Sequence, residues 1–68
     1  MDEKIKRAIR QRARHAHSND ELVRAVFETF EAAAIHPRDV SLEDMKTALV
    51  EAARAARAYD DRAGLMPA

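Results

Sequence analysis

The sequence predicts an all-α fold, a small helical hairpin with an additional N-terminal helix. Ala, Glu, Lys, Leu and Arg make up 37 of the 68 residues, a bias typical of helices with periodic apolar residues. Apolar residues recur at helical spacing along most of the chain, and two serines followed by acidic residues mark helix starts. We therefore expect one small domain over residues 1–68, without strands and with helices near 3–16, 19–35 and 42–63.

The first predicted helix is amphipathic but poor in large apolar residues. Its apolar face carries Ile5, Ala8, Ile9, Ala13 and Ala16. Another face is basic and carries Lys6, Arg7, Arg10, Arg14 and His17. Three of these cations repeat at four-residue spacing, where like charges repel by about 0.2–0.5 kcal/mol per pair. We therefore expect an acidic group against this basic face.

The second predicted helix begins with a capping box, in which the Ser18 hydroxyl accepts from the Glu21 N–H and the Glu21 carboxylate returns to Ser18. The expected buried stripe is the richest apolar segment of the chain and contains Leu22, Val23, Val26, Phe27, Phe30, Ala33 and Ala34. Pro37 has no N–H and disfavours helical geometry at the preceding residue, so it ends this helix.

The third predicted helix begins after Ser41, which we expect to act as its N-cap. Its narrow apolar seam contains Met45, Leu49, Ala52, Ala56, Tyr59 and Ala63. Because most of these side chains are small, a neighbouring helix must approach closely to make contact.

An alternative joins the first two helices into one long helix over residues 3–34. An unbroken heptad spacing supports it, through Ile5, Ile9, Arg12, Ala16, Asn19, Val23, Val26, Phe30 and Ala33. The capping box at Ser18 favours the interruption instead, and the sequence leaves both arrangements open.

Catalytic and metal sites are not predicted. The chain has no cysteine, both serines are explained as N-caps, and a single glycine cannot build a phosphate-binding loop. His15 and His17 are two residues apart and point in nearly opposite directions on a helix, whereas a helical chelate needs four-residue spacing. We therefore expect a protein that is not an enzyme and uses no cofactor or metal.

Protein binding is the predicted activity. The partner-binding candidates are Lys6, Arg7, Arg10, Arg14 and His17. The acidic groups that pair with them are expected to come either from an acidic protein or from the chain's own Glu21, Glu28 and Glu31. The composition is compatible with a cytoplasmic regulator or adaptor, such as a bacterial or phage-encoded modulator of a host protein. The alternative is a nucleic-acid-binding regulator that uses the basic first helix, disfavoured by the net charge of zero and by the absence of aromatic residues there. No apolar run is long enough for a membrane span.

Self-association is expected because only 17 residues are hydrophobic and larger than alanine, a thin core for three helices. The predicted homodimer is a helical bundle in which hairpins pack antiparallel across a two-fold axis. Its interface candidates are Phe27, Phe30, Leu49, Val50, Ala52, Ala53, Ala56 and Tyr59. The alternative is a compact three-helix monomer in which the first helix covers the aromatic residues through Ile5 and Ile9.

Overall fold

The computed structural model describes the backbone of residues 1–64 and the side chains of residues 1–58. Its elements are α1 (Glu3–Ala13), α2 (Asn19–Ala32), a 3₁₀ turn (Pro37–Asp39) and α3 (Leu42–Gly64). The described part of the chain contains no strand, which confirms the all-α prediction. The chain leaves helical geometry between α1 and α2, so the alternative of one continuous helix over residues 3–34 is wrong.

Both predicted serine caps form. The Ser18 hydroxyl accepts from the Glu21 N–H at 3.2 Å, and the Ser41 hydroxyl accepts from the Asp44 N–H at 3.1 Å. The return half of the capping box differs from the prediction, because the Glu21 carboxylate accepts from the N–H of His17 instead of Ser18. The carboxylate thus fixes the connection between α1 and α2 as well as the start of α2.

The end of α2 is a Schellman motif. The Ile35 N–H donates to the Phe30 carbonyl at 2.8 Å, and the Ala34 N–H donates to the Glu31 carbonyl at 3.1 Å. Ala34 has a φ of 59°, the left-handed conformation that glycine normally occupies at this position. The helix therefore ends at Ala32, several residues before the Pro37 boundary that the sequence predicted.

The three helices pack against one another, and α1 contacts both α2 and α3. Two ion pairs set the register of α1 on α3: the N-terminal ammonium of Met1 lies 3.7 Å from Asp44, and Arg10 lies 3.1 Å from Glu51. The paired residues are separated by 43 and 41 positions, so α1 and α3 run in the same direction.

The core combines three large side chains, Ile9, Val26 and Phe30, with small ones that let the helices approach closely. The small members are Ala13, Ala25, Ala48 and Ala52. Ile9 of α1 is fully buried with Phe30, so within one chain α1 covers this aromatic residue, as in the predicted three-helix alternative.

The buried face of α2 is rotated relative to the predicted stripe. Val26 and Phe30 are buried as expected, but Val23, Phe27, Ala33 and Ala34 are exposed. Ala25 and Thr29 are buried instead, since α2 is packed against both α1 and α3. The Thr29 hydroxyl donates to the Ala25 carbonyl at 2.8 Å, so this buried polar group keeps a hydrogen bond.

Candidate functional site

Arg10 is the best-connected residue of the predicted basic face. Its guanidinium pairs with Glu3 at 2.9 Å and with Glu51 at 3.1 Å. The Glu51 side chain is only 20% exposed, so this ion pair lies in the groove between α1 and α3. The acidic groups that pair with the basic face therefore come from α1 and α3, and not from Glu21, Glu28 and Glu31 of α2, which the sequence suggested.

These contacts favour the charged form of both partners. The hydrogen bond from Arg10 lowers the pKa of Glu3 below its ordinary value. The hydrogen bonds to Glu3 and Glu51 raise the pKa of Arg10. Arg10 is thus a structural cation that ties α1 to α3, and its charge is less available to an external partner.

The remaining basic-face candidates differ in exposure. Arg7, Arg14 and His17 are exposed, whereas Lys6 is half-buried. None of these four forms an ion pair with a described residue. Arg7 and Arg14 therefore remain the predicted cations best placed to meet a partner.

Large apolar side chains are exposed on α2 and α3. Phe27 is 42% exposed and Val50 is 48% exposed, the latter as the sequence predicted. We call the following residues the apolar stripe: Val23, Phe27, Leu42, Leu49 and Val50. Exposed apolar side chains mark protein–protein contact where they form one contiguous surface.

The structure divides the predicted dimer-interface residues into two groups. Phe27, Leu49, Val50 and Ala53 are exposed, whereas Phe30, Ala52 and Ala56 are buried within the chain. The three buried residues are unavailable to a second chain, because the packing of the three helices within one chain already covers them. The side chain of Tyr59 lies outside the described residues.

The apolar stripe lies away from α1. Leu42, Leu49 and the exposed Ala53 are about 160–180° around α3 from Glu51, at 100° per residue, and Glu51 marks the side that faces α1. Phe27 lines a groove of about 410 Å³ with Glu31 and the turn residues Ala34, Ile35, His36 and Pro37, which lead into α3. Phe27, Leu42 and Leu49 therefore belong to the side of the molecule on which α2 adjoins α3, whereas Val50 lies about 100° around α3 from Leu49, at the outer edge of the stripe.

The histidines have no shared arrangement in this structure. The Nδ1 atom of His36 accepts from the Arg38 N–H at 3.1 Å and caps the 3₁₀ turn, while the His17 N–H donates to Glu21. Within residues 1–58, no three histidine or acidic side chains are grouped as a metal site requires.

No helix within the described residues is both long and apolar enough to cross a membrane. No protein-family model, curated protein or solved structure matches this chain.

Proposed function

We propose that the protein is a non-enzymatic cytoplasmic regulator or adaptor that acts through protein–protein contacts, and that its first partner is a second copy of itself. The observation that carries the proposal is the apolar stripe on the hairpin of α2 and α3. Single exposed apolar residues are ordinary on a protein surface, but a group of large ones on one side indicates a surface that a partner covers.

The composition of the core supports self-association. Within residues 1–58, most of the buried side chains are alanines, which contribute little apolar area per residue. The larger Phe27, Leu49 and Val50 stay partly exposed in the single chain. Pairing of two chains would remove these side chains from water and add the apolar burial that a 68-residue chain lacks.

The exposed cations of α1 supply a second contact surface. Arg7 projects from α1 and Arg14 from the C-cap position directly after it, and α1 lies on the other side of α3 from Leu42 and Leu49. A partner bound to them leaves the stripe free, so self-association and binding of another protein are compatible. The chemistry of these two residues favours an acidic protein partner.

The nucleic-acid alternative has less support. Arg10 is neutralised by Glu3 and Glu51, so the basic face has fewer free cations than the sequence indicates. Binding of a DNA or RNA probe that weakens steeply with added salt would favour this alternative, because phosphate contacts release counterions.

Sedimentation equilibrium at micromolar concentration tests the proposed self-association. We expect a species of twice 7.7 kDa and a melting temperature that rises with protein concentration. Replacing Phe27 and Leu49 by glutamine should shift the protein to the single-chain mass. A matched control replaces the exposed Ala32 and Ala58, on the same two helices, by glutamine and should leave the dimer intact. A 7.7 kDa species with a concentration-independent melting temperature would refute self-association.

A further inference from the structure

Charged residues border the apolar stripe. On α2 they are Asp20 and Glu31, with the exposed Arg24 between them, and on α3 they are Lys46 and Arg57, with the exposed Glu43 three residues before Lys46. Glu31 lines the groove beside Phe27. Asp20 lies about two helical turns before Phe27 and points within about 20° of the same direction. On α3, Lys46 lies four residues from both Leu42 and Val50, and Arg57 lies four residues from Ala53. Asp20, Glu31, Lys46 and Arg57 are all exposed, and none forms an ion pair with another described residue.

The two pairs of charges have the same spacing. Asp20 and Glu31 are eleven residues apart (31 − 20), as are Lys46 and Arg57 (57 − 46). Eleven residues of α-helix rise about 16 Å and return to within about 20° of the same direction. Each helix thus carries two like charges at matching separation on one side.

The two helices place these charges at the same levels. Asn19 and Leu22, at the start of α2, line a depression together with Ala56 and Arg57 of α3. The end of α2 is joined to the start of α3 by residues 33–41, so the helices run in opposite directions. Asp20 therefore lies level with Arg57, and the equal rise per residue brings Glu31 level with Lys46.

Two copies can bury their apolar stripes against each other in two ways, which differ in the direction of the two-fold axis. With the axis perpendicular to the helices, α2 faces α2 and α3 faces α3, so acids oppose acids and bases oppose bases. With the axis parallel to the helices, α2 of each chain faces α3 of the other at an unchanged level. Asp20 then opposes the partner subunit's Arg57, and Glu31 opposes the partner subunit's Lys46. Complementary charges fix register in this way, whereas like charges penalise the alternative.

We infer that two copies of this chain pair through the apolar stripe around an axis parallel to the helices, bordered by Asp20–Arg57 and Glu31–Lys46 ion pairs between chains. This inference rests on the proposed self-association. It places both turns at the same end of the dimer, whereas the sequence predicted antiparallel hairpins. Both copies of α1 lie on the outside, where Arg7 and Arg14 stay open to another partner.

Charge reversal tests the arrangement by sedimentation equilibrium at low salt. The variant with Asp20→Arg and Glu31→Lys makes both borders basic, and the variant with Lys46→Glu and Arg57→Glu makes both acidic. Each should raise the dimer Kd by about tenfold or more, since several interchain pairs become repulsive together. The variant with all four reversals restores complementarity and should return the Kd to within about threefold of the parent protein. Around a perpendicular axis, each double variant exchanges one like-charged contact for another, so unchanged Kd values would overturn the inference.

Cross-linking provides a second measurement that does not depend on the charges. The chain has no cysteine, so Glu31→Cys and Lys46→Cys variants each carry one thiol. Mixed under oxidising conditions, with one variant tagged to change its mass, they should form mainly the mixed disulfide. Predominance of either same-variant disulfide would overturn the arrangement. A parent protein that stays monomeric would refute the proposed self-association itself, which distinguishes that failure from a dimer with a different axis.

Discussion

Replacing Ala34 by glycine should stabilise the protein, because Ala34 holds the left-handed position of the Schellman motif with a φ of 59°. This conformation costs a residue with a Cβ roughly 1–2 kcal/mol. Glycine removes that cost but loses roughly 0.5–1 kcal/mol through its greater freedom in the unfolded chain. We therefore expect a net stabilisation of about 0.5–1 kcal/mol. For a domain of this size, the melting temperature should rise by about 2–8 °C.

Ala33 provides the matched control for this substitution. It is the neighbouring exposed alanine, but its φ of −90° is sterically allowed for any L-residue. Ala33→Gly should therefore destabilise the protein by about 0.5–1 kcal/mol. Urea unfolding followed by circular dichroism, at one fixed protein concentration, measures both variants. Equal losses in the two variants would show that the left-handed conformation of Ala34 stores no strain.

Three further predictions concern the core and the ion pairs. Phe30→Ala should cost about 3–5 kcal/mol of stability and abolish the cooperative urea transition. Phe27→Ala, measured at a dilute and fixed protein concentration, should change stability by about 1 kcal/mol or less. Equal losses would contradict the finding that α2 buries Phe30 and leaves Phe27 exposed. Ala52→Leu, at a site with no exposed surface, should destabilise the fold by about 1–3 kcal/mol through overpacking, and an unchanged urea midpoint would contradict the tight helix approach. The hydrogen bond from Arg10 lowers the pKa of Glu3 from its ordinary value of 4.5. The contribution of Glu3 to folding stability is therefore present above pH 4.5 and is lost as the pH falls through the lowered pKa. Glu3→Gln should reduce the loss of stability on acidification, and an unaltered pH dependence would show that the pair is absent in solution.

Local sequence features were sufficient to predict the helices and the residues at which α2 and α3 begin. Ser18 and Ser41 cap α2 and α3 as predicted, because an N-cap bonds a backbone N–H only three residues away. The neighbouring residues therefore contain nearly all the relevant information. The end of α2 was harder to predict, because Ala34 occupies a position that sequence patterns assign to glycine or asparagine.

The face of α2 that is buried depended on tertiary packing. Val23 and Phe27 lie about 120–160° around α2 from Ala25 and Thr29, on either side of the buried Val26 and Phe30. Helical periodicity permits the buried face to extend from Val26 and Phe30 in either direction. The packing of α1 and α3 against α2 decides between them, and it buries the alanine and threonine in preference to the larger apolar residues. This choice leaves large apolar side chains at the surface, where the proposed interface lies.

The role of Arg10 likewise emerged only from the fold. The four-residue repeat of cations on α1 correctly predicted that acidic groups would lie against this face. Glu51 is 41 residues away from Arg10 along the chain, and only the parallel packing of α1 and α3 brings the two side chains to 3.1 Å. Sequence periodicity specifies which side chains share a helix face, whereas the relative placement of the helices decides which face meets core, counter-charge or solvent.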